Sequence, residues 1–208
     1  MNRLHKLLLV LPLIIIGCKN KDLDEKYLSQ SINTLDMKIF SKEGENLISI
    51  KSPYSIYDKV RNTFDLKETT INLFTDNKLE YIINSDYSKL SNNNKLVELG
   101  GNVLVKSIIQ QSDKLTSNSL TWNIQNSVYL LIGNVKYENN LVTLTSNKAI
   151  LTTSTNIIEF FNPVKYKFKD NMKDSGYEIN SENAYYNIDN KSVNFKSKEE
   201  RVRSKIYF

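Results

Sequence analysis

The sequence is poor in the residues on which most catalytic and metal sites depend. Its 208 residues include one cysteine, Cys18, and one histidine, His5. A single cysteine cannot form a disulfide within the chain. Because we expect His5 to be removed with the N-terminal segment, Ser-His-Asp triads, Cys-His pairs and ordinary zinc sites are excluded. The composition therefore predicts no catalytic site of these types and no metal site built from histidine or cysteine.

Glycine and proline are also scarce, with 6 and 3 residues respectively. The turns must therefore be built mostly from Asn, Asp and Ser, which tolerate left-handed backbone and bond their own main chain. The formal net charge of +5 is small, and basic residues are interleaved with acidic ones. A nucleic-acid-binding domain would be more basic and more clustered, so we predict no nucleic-acid partner.

The N-terminus has the features of a secretory signal. Two basic residues precede an apolar run over residues 7–16, and Gly17 and Cys18 follow it. The run is too short to span a bilayer, which needs about 20 residues. A small residue directly before a lone cysteine resembles the bacterial lipobox, in which the cysteine becomes the new N-terminus and carries acyl chains. We expect Cys18 to be a lipid anchor; the alternative is a short membrane anchor with a chance cysteine.

The chain divides into three parts on these patterns. We predict a signal peptide over residues 1–17, a polar tether over 18–36 and a β domain over 37–208. The tether is charged and shows no clear strand pattern, and we expect a short helix near residues 27–35. From residue 37 onward, polar and apolar residues alternate, which is typical of strands with one buried face.

A repeated unit dominates the β domain. Four similar starts lie 32, 29 and 35 residues apart, and in the first three a valine follows 20 residues later. Each copy has the pattern strand, polar turn, strand, so one hairpin unit is stacked several times and buries a continuous core. The starts are Ile83-Asn84-Ser85-Asp86, Leu115-Thr116-Ser117-Asn118, Leu144-Thr145-Ser146-Asn147 and Ile179-Asn180-Ser181-Glu182. The sequence therefore predicts an elongated, all-β, antiparallel structure.

An apolar stripe alternates along these strands on one predicted face. It is either the closed core of an ordinary sandwich or the lining of a groove that holds acyl chains between two sheets. The candidate groove-lining residues are Tyr81, Ile83, Val103, Val105, Leu120, Trp122, Ile124, Val128, Leu130, Val135, Leu151, Ile158 and Phe160.

Four strand-forming stretches carry a family resemblance. They are residues 71–74, 79–85, 96–105 and 131–135, and they lie within residues 47–168. Two of them contain the sequence Gly-Asn-Val. In order and spacing they resemble the LptC-type periplasmic component of the lipopolysaccharide export machinery, and the related LptA-like shuttle proteins that share its hairpin repeat.

This resemblance implies an open, taco-like β-jellyroll with an apolar groove. It also implies a protein that is not an enzyme and that uses neither a metal nor a cofactor. Such a protein receives lipopolysaccharide from the membrane subunits of an inner-membrane ABC transporter. It passes the lipid to an LptA-like shuttle, which it meets by strand-edge pairing. Members of the family commonly keep an uncleaved transmembrane helix, whereas this chain has Cys18 after a short run. We therefore expect a periplasmic protein held to the membrane, preferably the inner membrane, by acyl chains on Cys18.

Two other functions remain open on the sequence. The first is a structural or surface-exposed β-rich lipoprotein with a closed core. The second is a carbohydrate-active enzyme, which would need a pair of carboxylates. The candidate acids are scattered over predicted turns and outward strand faces, and nothing in the sequence pairs them.

Overall fold

The structure is a computed structural model that describes residues 29–91, 93, 95–161, 163–170, 175–198 and 201–207. Every regular element in these ranges is a strand. No helix within them is long and apolar enough to cross a membrane. The predicted signal peptide and Cys18 lie outside the described residues.

The described chain forms fourteen strands. They are β1 (Ser29–Phe40), β2 (Asn46–Asp58), β3 (Thr63–Thr75), β4 (Lys78–Ser91), β5 (Leu96–Ser107), β6 (Lys114–Asn123), β7 (Val128–Glu138), β8 (Val142–Thr152), β9 (Ile157–Phe161), β10 (Val164–Asp170), β11 (Ser175–Ser181), β12 (Asn183–Asn187), β13 (Val193–Lys196) and β14 (Arg203–Tyr207).

All the strands belong to one antiparallel sheet. Strands β1 to β8 pair in sequence order, each with the next. At β8 the sheet divides: the first half of β8 pairs with β10, which continues to β11 and β14. The second half pairs with β9, which continues to β12 and β13. The predicted all-β, open antiparallel jellyroll of stacked hairpins is confirmed.

A corner in the middle of each long strand explains the sequence repeat. The third residue of each repeat start is a buried or half-buried serine whose hydroxyl donates to the carbonyl oxygen two residues further on. This Oγ–O distance is 3.0 Å at Ser85, 2.9 Å at Ser117, 2.8 Å at Ser146 and 3.0 Å at Ser181. The hydroxyl satisfies a main-chain acceptor at the point where the strand bends and ladder pairing shifts.

The Gly-Asn pairs form the matching corners on the neighbouring strands. Gly101 has φ +70°, and a Cβ atom there would lie 2.9 Å from the Cβ of Asp86. Only glycine meets both requirements, since other residues avoid positive φ and bring a side chain. Asn102 also has positive φ, 45°, and its amide Nδ2 donates to Asp86 Oδ2 over 2.8 Å. Gly133 repeats this arrangement one unit later.

The corners fold the sheet into two facing layers. The first layer holds β10, β11 and β14, and the second holds β9, β12 and β13. Contacts between strands that share no ladder join the layers: the rings of Tyr137 and Tyr186 lie 4.6 Å apart, and those of Tyr166 and Phe195 lie 5.4 Å apart. The first layer also contains residues 46–52, 69–75, 78–85, 103–107, 114–117, 135–138 and 142–146, and the second contains residues 54–58, 63–67, 87–91, 96–100, 119–123, 128–132 and 148–152.

The structure corrects the N-terminal part of our prediction. Strand β1 begins at Ser29, within the segment 18–36 assigned to the tether, and pairs with β2 along its length. The predicted short helix is therefore wrong over residues 29–35. Thr34 has φ 62°, which places a corner in β1 and interrupts its alternation. Because of this interruption and the many polar residues, the sequence periodicity did not predict the strand.

Candidate functional site

A groove lies between the two layers. Its cavity volume is about 610 Å³. Its deepest residues come from both layers and are almost fully buried: Ile83 belongs to the first, and Leu120, Leu131 and Ile158 belong to the second. The side chains around this floor are predominantly aliphatic and aromatic. Such a surface excludes water and favours apolar ligands.

An aromatic pair forms one wall of the groove. The rings of Trp122 on β6 and Tyr129 on β7 stack, with centroids 5.1 Å apart and planes 14° apart. They face each other because these two residues are direct partners in the β6–β7 ladder. Burial raises the pKa of the Tyr129 phenol, so it stays neutral. The indole Nε1 of Trp122 is buried and has no acceptor among the described residues.

A polar network borders the groove at one end. The Asp113 carboxylate accepts a hydrogen bond from the Tyr137 hydroxyl over 2.9 Å and one from Lys191 Nζ over 2.8 Å. The Tyr137 and Tyr186 hydroxyls lie 3.0 Å apart. Burial is the main cause that raises the pKa of Tyr137, and the hydrogen bond with Tyr186 raises it further. The network joins the β5–β6 loop of the first layer to the β12–β13 turn of the second.

Seven of the thirteen residues predicted from the apolar stripe line this groove. Val103, Val135 and Phe160 are instead fully buried in the continuous core, away from the cavity, and Ile124 packs against that core from a half-buried position. The seven lining residues are Tyr81, Ile83, Val105, Leu120, Trp122, Leu151 and Ile158.

Val128 and Leu130 are corrected, because the structure places them on the opposite face of β7. Side chains alternate along a strand, and it is Tyr129 and Leu131 that are buried and line the groove. The whole stretch from Val128 to Ile132 is apolar, so its sequence contains no alternation to show which face is inside. The register of the β6–β7 ladder decides which face is inside, because it pairs Tyr129 with Trp122.

Several lining residues were missed by the sequence analysis. Four of the main ones lie within the first or last three residues of a strand, where few residues remain to show a period of two, and Tyr129 and Leu131 belong to the apolar run of β7. The main ones are Ile48, Leu73, Leu115, Tyr129, Leu131 and Tyr137. Among the described residues no group of three or more His, Cys, Asp or Glu side chains could hold a metal ion.

Comparison with known protein families gives a match to the part of the chain that carries most of the groove-lining residues. Residues 15–130 match the family model LptC, described as lipopolysaccharide-assembly, LptC-related. The match spans more than half of the chain. The chain belongs to the LptC family. The resemblance predicted from the four strand-forming stretches is thereby confirmed.

One similar solved structure is LptH of Pseudomonas aeruginosa, described as the LptA homologous periplasmic component of the conserved lipopolysaccharide transport device. It shares 17% sequence identity with this chain at a TM-score of 0.48, and the match covers 62% of this chain and 94% of LptH. No curated protein matches the sequence.

Membership of the LptC family gives this protein a role in lipopolysaccharide transport. Proteins of this family are periplasmic transport components rather than enzymes.

Proposed function

We propose that the groove binds the acyl chains of lipopolysaccharide, which this LptC-family protein receives from an inner-membrane ABC transporter and passes to an LptA-like shuttle. The observation that carries the proposal is the apolar groove between the two layers of an open sheet. Its volume of about 610 Å³ lies within the usual range of ligand sites, roughly 300–1,000 Å³.

The chemistry of the groove fits an acylated ligand. The deep aliphatic floor would cover hydrocarbon, and each CH₂ group removed from water contributes about 0.8 kcal/mol.

The ends of the sheet support a relay of the lipid. Strand β1 is the outer strand at one end, and β13 and β14 are outer strands of the two branches at the other. Outer strands carry main-chain groups that can pair with another chain. We propose that strand addition at these edges joins the protein to the transporter and to the shuttle.

We further propose that residues 1–17 are a cleaved signal and that acyl chains on Cys18 hold the protein to the inner membrane from the periplasmic side. Mass spectrometry of the purified protein tests this part. The expected N-terminus is Cys18 with an added acyl mass, and Cys18→Ser removes that mass. An unmodified Cys18 in the native protein would contradict the anchor.

Photocrosslinking in cells tests the groove. A photoreactive phenylalanine analogue is introduced at Trp122, inside the groove, and in a matched variant at Tyr87, which is aromatic and 61% exposed. We expect a lipopolysaccharide adduct at position 122 that requires an active transporter ATPase, and none at position 87. Equal labelling at both positions, or none at 122 in folded protein, would favour a closed-core lipoprotein.

A further inference from the structure

The β12–β13 turn is held to both layers by side chains. On its own side, Asn156 Nδ2 donates to the two carboxylate oxygens of Asp189 over 3.1 and 3.2 Å. On the opposite side, Lys191 Nζ bonds Asp113 and also donates to Gln110 Oε1. Gln110, Asp113 and Asp189 all line the groove. The turn therefore bridges the two layers at the border of the cavity.

The geometry of the turn places Lys191 for this contact. Lys191 has φ 60°, in the left-handed region, which costs a residue with a side chain roughly 1–2 kcal/mol. Asn187 stabilises the turn, since its Oδ1 accepts from the backbone N–H groups of Asp189 and Asn190 over 2.9 and 3.1 Å. Glycine would adopt this backbone conformation at a lower cost. The contacts of the Lys191 side chain with Asp113 and Gln110 offset the conformational cost of having lysine there.

The two charges of the bridge differ in exposure. The side chain of Asp113 is 10% exposed, whereas that of Lys191 is 36% exposed. Asp113 keeps the Tyr137 hydroxyl as a second partner when Lys191 moves away. The Lys191 side chain can therefore move into water while the Asp113 carboxylate keeps its hydrogen bond with Tyr137.

We propose that Lys191, Asp113 and Gln110 form a latch that controls how fast an acyl chain enters and leaves the groove. This inference rests on the proposed lipid-binding function. When the latch is closed, the β5–β6 loop and the β12–β13 turn are joined across the border of the cavity. When Lys191 releases Asp113, the β12–β13 turn remains attached to its own layer through Asn156. The β5–β6 loop can then move away from the turn at the border, while the contact between Tyr137 and Tyr186 still joins the two layers.

Stopped-flow fluorescence tests the latch. Trp122 is the only tryptophan in the chain, so a bromine-labelled alcohol, ω-bromododecanol, quenches it when the alkyl chain occupies the groove. A neutral probe is used because Glu80, Asp113 and Asp189 at the groove would repel an anionic one. The protein is the full chain carrying Cys18→Ser, which prevents acylation that would compete for the site.

We expect Lys191→Met to raise the association and dissociation rates of the probe roughly tenfold, which corresponds to about 1.4 kcal/mol of barrier. The dissociation constant should change little, because the latch is not a binding contact. Lys191→Arg should restore the slow rates. The matched control is Lys89→Met, which removes an ion pair with Asp65 on the outer surface and should leave both rates unchanged.

The possible results separate the latch from the groove. Quenching with equal rates in the wild-type protein and Lys191→Met would overturn the latch and leave the proposed function standing. A similar acceleration in Lys89→Met would also overturn the latch, since the effect would then be a general loss of stability. If the probe quenches none of the variants, the groove itself is contradicted and the latch with it. Urea unfolding of each variant verifies that it is folded.

Discussion

Replacing Gly101 by alanine tests the physical account of the strand corners. Two costs add at this position. The backbone has φ +70°, and a left-handed conformation costs an L-residue about 1–2 kcal/mol. The new Cβ would also lie 2.9 Å from the Cβ of Asp86 and 2.5 Å from its Oδ2. Crowding of this kind typically costs about 1–3 kcal/mol, so we expect Gly101→Ala to lower the free energy of unfolding by about 3 kcal/mol.

Gly44 provides a matched control for this substitution. It also has positive φ, +88°, but a Cβ there would meet no atom within 4 Å. Gly44→Ala should therefore show the backbone cost alone, about 1 kcal/mol. Urea unfolding followed by Trp122 fluorescence gives both values, because the free energy falls linearly with denaturant.

A double-mutant cycle then isolates the contact with Asp86. Asp86→Gly removes the side chain that the new methyl group meets, so Gly101→Ala should cost about 1–2 kcal/mol less in that background. The corner explanation is refuted if Gly101→Ala costs no more than Gly44→Ala, or if its cost is the same with and without the Asp86 side chain.

Two further predictions concern the interior. Leu131→Ala should lower the free energy of unfolding by about 2–5 kcal/mol because the side chain is fully buried. Leu130→Ala, on the outer face, should lower it by less than about 1 kcal/mol. Similar losses for the two variants in urea titrations would contradict the β7 register. Burial raises the pKa of Tyr137 above its ordinary value of 10.0, so the contribution of Tyr137 to the free energy of unfolding should be constant below about pH 10 and be lost as the pH rises above it. Tyr137→Phe should weaken that alkaline loss in pH-dependent urea titrations, and an unchanged slope would show that Tyr137 does not contribute.

The fold could be predicted because its determinants are local and repeated. The corners of β5 and β7 each combine a Gly-Asn pair with a serine on the preceding strand, as at Gly101-Asn102 and Ser85. Spacing between corners fixes strand length, and the polar turns fix pairing order. The prediction failed at β1, where Thr34 interrupts the alternation of a strand that is rich in polar residues and mostly exposed.

The groove could be predicted only in part. Trp122 and Leu120 alternate with polar residues, so their inward direction is visible in the sequence. Val128 and Leu130 were assigned to the wrong face because an uninterrupted apolar run gives no direction, and only pairing across the ladder does. The contact between Asp113 and Lys191 joins residues 78 positions apart, and no local pattern connects them.

The corners also determine how a sheet of this type can grow. Corner serines recur on every second strand, at Ser85 on β4, Ser117 on β6 and Ser146 on β8. A gain or loss of one strand would place two strands with corner serines, or two strands without them, side by side. A gain or loss of two strands keeps the two kinds of strand alternating. Neighbouring strands lie about 4.8 Å apart. The sheet can therefore lengthen only in steps of roughly 10 Å, so the distance that such a protein spans is selected from discrete values rather than adjusted continuously.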